Sequence, residues 1–229
     1  MRRGAPPRAI LLDALGTLVA LQPPAPRLRT ELAQRFGVSV SLAQAERAIT
    51  AEIAYYRAHF DQGSDERGMK ALRHSCVLAL RAELPQQAES LPIERLTEAL
   101  LGSIAFSAYA DVLPVLGVAR AQGVRLVVVS NWDISLHDLL ARLRIGPLLD
   151  GIVTSAQQGA RKPDPAIFVR GLELAGVGPA EAIHVGDSVE EDVAGARSAA
   201  IEPVLIRRDG SPGPAGTRTI ASLSELVVT

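Results

Sequence analysis

Seven side chains in the 229-residue sequence have types and spacings that could do chemistry together. Asp13 and Thr17 bracket a glycine turn in Asp13-Ala14-Leu15-Gly16-Thr17. Ser130 and Asn131 close the apolar run Val124-Arg125-Leu126-Val127-Val128-Val129. Lys162 precedes Pro163, and Asp187 and Asp192 lie in Gly186-Asp187-Ser188-Val189-Glu190-Glu191-Asp192. Carboxylates, hydroxyls, an amide and one ammonium are the groups that receive a charged ligand. Only Lys70 and Lys162 of the 24 basic residues are lysines. A lysine is therefore informative, because a compact amine does work that a planar guanidinium does badly. Taken singly, each residue has a structural explanation. Ser130, Asp133 or Asp187 caps a helix, Lys162 is a solvated loop residue, and Asp192 sits on an exposed helix face. In this order and at these spacings, a shared site explains them better.

The elements around these residues predict how they meet. Ala9-Ile10-Leu11-Leu12 is too short for a helix and runs straight into Asp13, which reads as a buried parallel strand delivering an acid to its carboxyl end. From Asp111 onward helices and strands alternate. Strands are expected at 124–129, near 151–154, at 182–185 and at 203–206, with helices through Ala121, from about Ile134 to Leu143, from Pro165 to near Gly176 and up to about Ala200. A short terminal helix is expected to complete the run. Alternation with short loops predicts a doubly wound parallel α/β sheet, whose strand ends on one edge form the ligand crevice.

Residues 22–106 have a different texture. Pro23-Pro24-Ala25-Pro26 reads as a stiff linker. Helical patterns follow from Arg27 to Phe36, stopping at Gly37, and from Ser41 to about Phe60, opened by a Ser41/Gln44 capping box. Further helices are expected over 65–84 and from Pro92 through Leu101. The chain is thus expected to divide into a core domain, 1–21 and 107–229, and an inserted α-helical domain, 22–106.

The hydrophobic content of 48% and the formal net charge of −1 exclude a nucleic-acid or polyanion footprint. The single cysteine, Cys76, excludes an internal disulfide framework and a cysteine-based zinc site. It lies in Cys76-Val77-Leu78-Ala79-Leu80 and reads as core packing. Arg2, Arg3 and Arg8 precede an apolar run to Leu21, but Asp13 interrupts that run and Ala20-Leu21-Gln22 lacks a small-x-small cleavage pattern. No charge-free run is long enough to cross a bilayer. The expectation is a cytoplasmic protein with no membrane or nucleic-acid partner; the sequence leaves its oligomeric state open.

The four motifs in order resemble those of the haloacid dehalogenase (HAD)-like hydrolase superfamily, mostly phosphatases, in the branch with a helical cap inserted between the first and second motifs. The resemblance spans nearly the whole chain, and Gly186–Asp192 is its most specific stretch. It implies a Rossmann-like core, a small phosphorylated substrate and Mg²⁺. It makes Asp13 the nucleophile that forms an aspartyl-phosphate, with Lys162 stabilising charge and holding Asp13 ionised. It implies metal ligation by Asp13, the backbone carbonyl of Leu15, Asp187 and Asp192, the last more remotely or through water. Thr17, Ser130 and Asn131 become substrate-binding residues. Cap residues such as Tyr55, Tyr56, Arg57 and His59 would select substrate or simply pack within the cap.

One position departs from the pattern. Phosphatases that resemble this chain usually carry a second aspartate two residues after the nucleophile, protonating the leaving oxygen and then activating water. Here that position is Leu15. The loss of such assistance typically costs about 10²–10⁴ in rate, so turnover is expected to be low or confined to good leaving groups, unless Asp133 or a cap residue substitutes. The alternatives are a 2-haloacid dehalogenase, whose halide needs no proton, and a non-catalytic phosphate-binding or interaction protein. The acidic fourth motif weighs against the dehalogenase. A phosphonatase would need a cap lysine, for which Lys70 is the only candidate.

Overall fold

The computed structural model describes residues 7–226, so Arg2 and Arg3 of the basic start lie outside the described residues. The chain divides into two compact units, one holding the described residues up to Ala20 and from Ala108 onward, the other Leu21–Ser107.

The strands in chain order are β1 (Ala9–Leu12), β2 (Val19–Leu21), β3 (Phe106–Ala108), β4 (Arg125–Ser130), β5 (Gly151–Thr154), β6 (Ala182–Gly186), β7 (Glu202–Ile206) and β8 (Arg218–Ile220). The helices are α1 (Pro24–Phe36), α2 (Leu42–His59), α3 (Glu66–Ala82), α4 (Gln86–Glu89), α5 (Ile93–Ser103), α6 (Val112–Ala121), α7 (Ser135–Arg142), α8 (Ser155–Gln158), α9 (Pro165–Ala175) and α10 (Gly195–Ser198).

Six strands form one parallel sheet in the order β5-β4-β1-β6-β7-β8. Strand order runs one way from β1 through β4 to β5 and the other way from β6 through β7 to β8, so β1 lies at the topological switch, where open α/β sheets receive ligands. All four β1 residues are buried, as expected of a strand covered on both faces. Against one face, Leu11, Val127 and Val129 join Ile167, Phe168 and Leu172 of α9 in a common core. Register sets the crevice: Leu12 pairs with Val128 of β4 and Val185 of β6, and the Asp13 amide donates to the Val185 carbonyl at 2.9 Å. Asp13, Ser130 and Asp187 therefore emerge side by side.

The second unit is helical, with α2 packed on α3 and α1 on α5. The Ser41/Gln44 capping box is present, and Gly37 ends α1 with φ +67°. Several expectations need correction. Pro24 and Pro26 are not linker residues; they form the first turn of α1, where backbone amides have no helical acceptor and proline loses nothing. Strands β2 and β3, missed because each has three residues, pair where the chain leaves the α/β unit and returns to it. The stretch after Ser188 is a π-helical turn, Val189–Ala194, followed by the short α10. In place of a terminal helix the chain adds β8 and a 3₁₀ turn, Leu223–Glu225. No described helix is long and apolar enough to cross a membrane.

The helical unit buries one carboxyl. Glu52 of α2 is 5% exposed, and burial pushes it from 4.5 up to about 7, although the Cys76 thiol of α3 hydrogen-bonds to it and pulls it back. The folded chain holds this proton more tightly than the unfolded chain, so stability falls as pH rises from about 4.5 to about 7. Urea unfolding of Glu52→Gln is expected to lose that slope and to gain up to ~3 kcal/mol over wild type above the window. Parallel pH profiles for the two proteins would contradict this account of Glu52.

Candidate active site

Two loops, following β1 and β6, bring the acids together. The first turns at Gly16, with φ +76°. A Cβ there would lie 2.0 Å from Asp187 Oδ2, so only glycine lets the Asp187 carboxylate approach this backbone. The turn is closed by Gly16 N donating to Val19 O and Val19 N to Ala14 O, each at 2.9 Å. Among the described residues no backbone amide donates to the Leu15 carbonyl. The second loop has the same constraint: a Cβ on Gly186 would fall 2.1 Å from the Asp192 carboxyl carbon. Ser188 caps the π-helical turn by accepting from Glu191 N, while its own amide donates to Asp192 Oδ2 at 2.9 Å.

Lys162 joins the loops. Its side chain is 1% exposed, and Nζ donates to Asp13 Oδ1 at 2.5 Å and to Asp192 Oδ1 at 2.6 Å. Ser130 Oγ donates to Asp13 Oδ1 at 3.0 Å. His184, in the strand expected at 182–185, donates from Nε2 to Asp192 Oδ1 at 2.8 Å and packs edge-on against Phe168. Asn131 grips the lysine's main chain, accepting from Lys162 N at 2.7 Å and donating to Lys162 O at 3.1 Å. In this arrangement Asn131 positions the lysine. Thr17 is fully buried, and its Oγ1 has no protein partner.

Burial pushes the Asp13 carboxyl up to about 6, against the pull of Lys162, with Asp192 and Asp187 adding to the rise. Burial alone would lower Lys162, but Asp13 and Asp192 hold it well above the usual lysine range. Burial would also raise Asp192; Lys162 and His184 override it and keep that carboxyl well below its usual range. Asp187 is raised, first by burial and then by the charge of Asp192. The firmly ionised pair is thus Lys162 with Asp192, while Asp13 and Asp187 carry charge at a cost that a further cation would remove.

The donor set fits such a cation. One carboxylate oxygen each from Asp13, Asp187 and Asp192 lies within 4.8 Å of the others. All-oxygen ligation suits a hard divalent ion such as Mg²⁺. Asp192 already serves three donors, whereas Asp13 Oδ2 accepts no protein hydrogen bond among the described residues.

Other candidates are engaged elsewhere or on the surface. Leu15 is 36% exposed and offers no acid. Asp133 is buried, and its Oδ1 accepts from Ser135 N at 2.7 Å, a helix-cap arrangement. Trp132 is largely buried and donates to Ser135 Oγ at 3.4 Å. Lys70 is exposed on α3. Within the helical unit, Tyr55 stacks on His59 at 4.1 Å and Tyr56 packs on Phe60, so these rings have local partners.

A haloacid dehalogenase-like hydrolase domain-containing protein of mouse (number 3 of its series) is 28% identical over 204 residues, 87% of this chain and 81% of that protein. A glyceraldehyde 3-phosphate phosphatase of Methanopyrus kandleri is 38% identical over 101 residues, 44% of this chain but only 43% of that protein. The match to the cattle counterpart of the mouse protein likewise spans 35% of its length. Among solved structures, a HAD phosphatase from Thermococcus onnurineus superposes with a TM-score of 0.66 at 27% identity, covering 96% of this chain and 95% of that one. A 2-haloacid dehalogenase from Pseudomonas syringae gives the same score at 24% identity over 96% of each chain, which shows the shared fold. The family model for haloacid dehalogenase-like hydrolases matches residues 7–200, and the chain belongs to that family of hydrolases.

Proposed function

We propose that this hydrolase is a Mg²⁺-dependent phosphatase acting on a small phosphorylated metabolite through an aspartyl-phosphate at Asp13. The observation that carries the reading is the convergence of three acids, two of them bound to one buried lysine, with the hydroxyl of Thr17 on the Asp13 loop buried without a partner. Asp13, Asp187 and the Leu15 carbonyl would hold the metal, with Asp192 reached through water because its oxygens are already occupied. When bound, the ion supplies the positive charge that lets a carboxylate approach an anionic phosphoryl group. The phosphatase names of the archaeal relatives point the same way.

The protein's own groups do the rest. Lys162 keeps Asp13 ionised, and Ser130 fixes the carboxylate through Oδ1. Thr17 Oγ1, buried without a partner, is available to donate to a phosphoryl oxygen. Asp13 attacks phosphorus, and the bond from phosphorus to the ester oxygen breaks. The leaving oxygen takes its proton from water, because Leu15 has none to give. Water then attacks the acyl-phosphate, releasing phosphate and restoring Asp13. The apolar side chain at position 15 therefore favours substrates whose leaving oxygen needs little protonation.

A panel of phosphate esters that includes glyceraldehyde 3-phosphate, run beside 2-chloro acids with Mg²⁺ or with EDTA, tests the reading. Phosphate release is expected, and both EDTA and Asp13→Asn are expected to abolish it. Chloride release indifferent to EDTA would instead identify a dehalogenase, and neither product would leave a phosphate-binding protein. Leu15→Asp separately tests the missing acid. Turnover on ordinary monoesters should rise, toward the roughly 10²–10⁴-fold that general acid–base assistance supplies. Unchanged turnover with retained Mg²⁺ dependence would show that position 15 does not limit the rate.

A further inference from the structure

Two consecutive arginines after β7 each hold a backbone carbonyl of one active-site loop. Arg207 Nη1 donates to the Asp187 carbonyl at 3.0 Å. Arg208 Nη2 donates to the Thr17 carbonyl. These loops are the ones that meet where Gly16 makes room for the Asp187 carboxylate.

Arg208 is itself held by an acid and by an aromatic ring. Nη1 pairs with Asp111 Oδ2 at 2.6 Å, with both side chains 15% exposed. The guanidinium carbon lies 4.1 Å from the centroid of the Tyr109 ring. Asp111 Oδ2 also accepts from Ser222 Oγ and from Leu223 N, each at 2.7 Å, so the C-terminal 3₁₀ turn anchors the acid that anchors the arginine. Tyr109 N in turn donates to Leu18 O at 3.1 Å. Tyr109 and Asp111 lie directly after β3, where the chain re-enters the α/β unit. A planar guanidinium reaches Thr17 O and Asp111 through two separate nitrogens while stacking on a ring, whereas an ammonium offers a single nitrogen and no flat face.

We propose that Arg207 and Arg208 are positioning residues, a tandem clamp that sets the Asp13–Thr17 loop against the Asp187–Asp192 loop at the spacing a divalent cation needs. The clamp neither touches substrate nor ligates metal; it acts through the main chain that carries Asp13, Leu15, Thr17 and Asp187. The inference rests on the phosphatase reading for its metal but not for its geometry. Groups that orient a metal site from outside it typically change metal affinity by roughly 10–100-fold.

The test uses the full chain without substrate. Mn²⁺ is titrated as a spectroscopic stand-in for Mg²⁺, with free Mn²⁺ read by electron paramagnetic resonance, and amide exchange is followed over residues 14–18 and 187–192. Arg207→Ala and Arg208→Ala, confirmed folded by circular dichroism, are expected to bind Mn²⁺ roughly 10–100-fold more weakly. Their two loops should exchange faster while β1, β4 and β6 keep their protection. Arg170→Ala, which removes an exposed pair with Glu173, should match wild type in both readouts. If Arg208→Ala does not fold, Arg208→Lys carries the test, with affinity expected to fall because one acceptor is abandoned. Folded variants with wild-type Mn²⁺ affinity and wild-type loop exchange overturn the clamp. If wild type itself takes no Mn²⁺, the metal reading fails, and loop exchange alone decides the clamp.

Discussion

One ammonium inside the protein sets the terms for everything around it. Lys162 Nζ sits between Asp13 and Asp192 with almost no access to water, where an unpaired charge would cost several kcal/mol. Asp192 is the firmly ionised partner, and Asp13 adds a second counter-charge whenever it is ionised. Three carboxylates converge on that single buried ammonium, with Arg207 easing only Asp187, so the site carries an excess of negative charge that a divalent ion would offset. Burial raises Asp13 and Asp187, with the charge of Asp192 adding to the rise, while Lys162 and His184 hold Asp192 down. Removal of one partner would strand a buried charge, so the set is expected to behave as a unit, with non-additive effects of substitution.

The fold brings this set together cheaply. Parallel strands β1, β4 and β6 share a register that delivers their polar ends to one edge, and α9 covers the sheet behind them. The fine adjustment is made by two glycines, each of which lets a carboxylate into space that a methyl group would fill. A π-helical turn then points Asp192 back toward Lys162, a local irregularity of the kind that recurs where side chains must be re-aimed.

How much of this was legible in the sequence follows from range. Asp13, Ser130, Asp187 and Asp192 could be read because each lies at, or a few residues beyond, the end of an apolar run, and Lys162 because lysine is scarce. The α/β alternation was legible for the same reason, since strand and helix periods are local properties. The partners of those groups were not. His184 looks like a core residue because alternate β6 positions are apolar, and its bond to Asp192 exists only once the π-helical turn has formed. Arg207 and Arg208 are two arginines among many, and their acceptors are 20 and 191 residues away. The prolines of α1 were misread because a first helical turn and a stiff linker accept the same residues.

Leu15 gives the account its sharpest consequence. If Asp13 forms the proposed aspartyl-phosphate, the absence of an acid or base at position 15 should make its hydrolysis slower than its formation for a good leaving group, and the covalent species should accumulate. The most direct measurement is peptide mass mapping of the chain, quenched in acid during turnover of an activated phosphate ester with Mg²⁺. A phosphoryl group is expected on the peptide carrying Asp13, at the Asp13 carboxyl. Phosphate released with no label at Asp13, or with the label on another residue, would contradict the proposed aspartyl-phosphate.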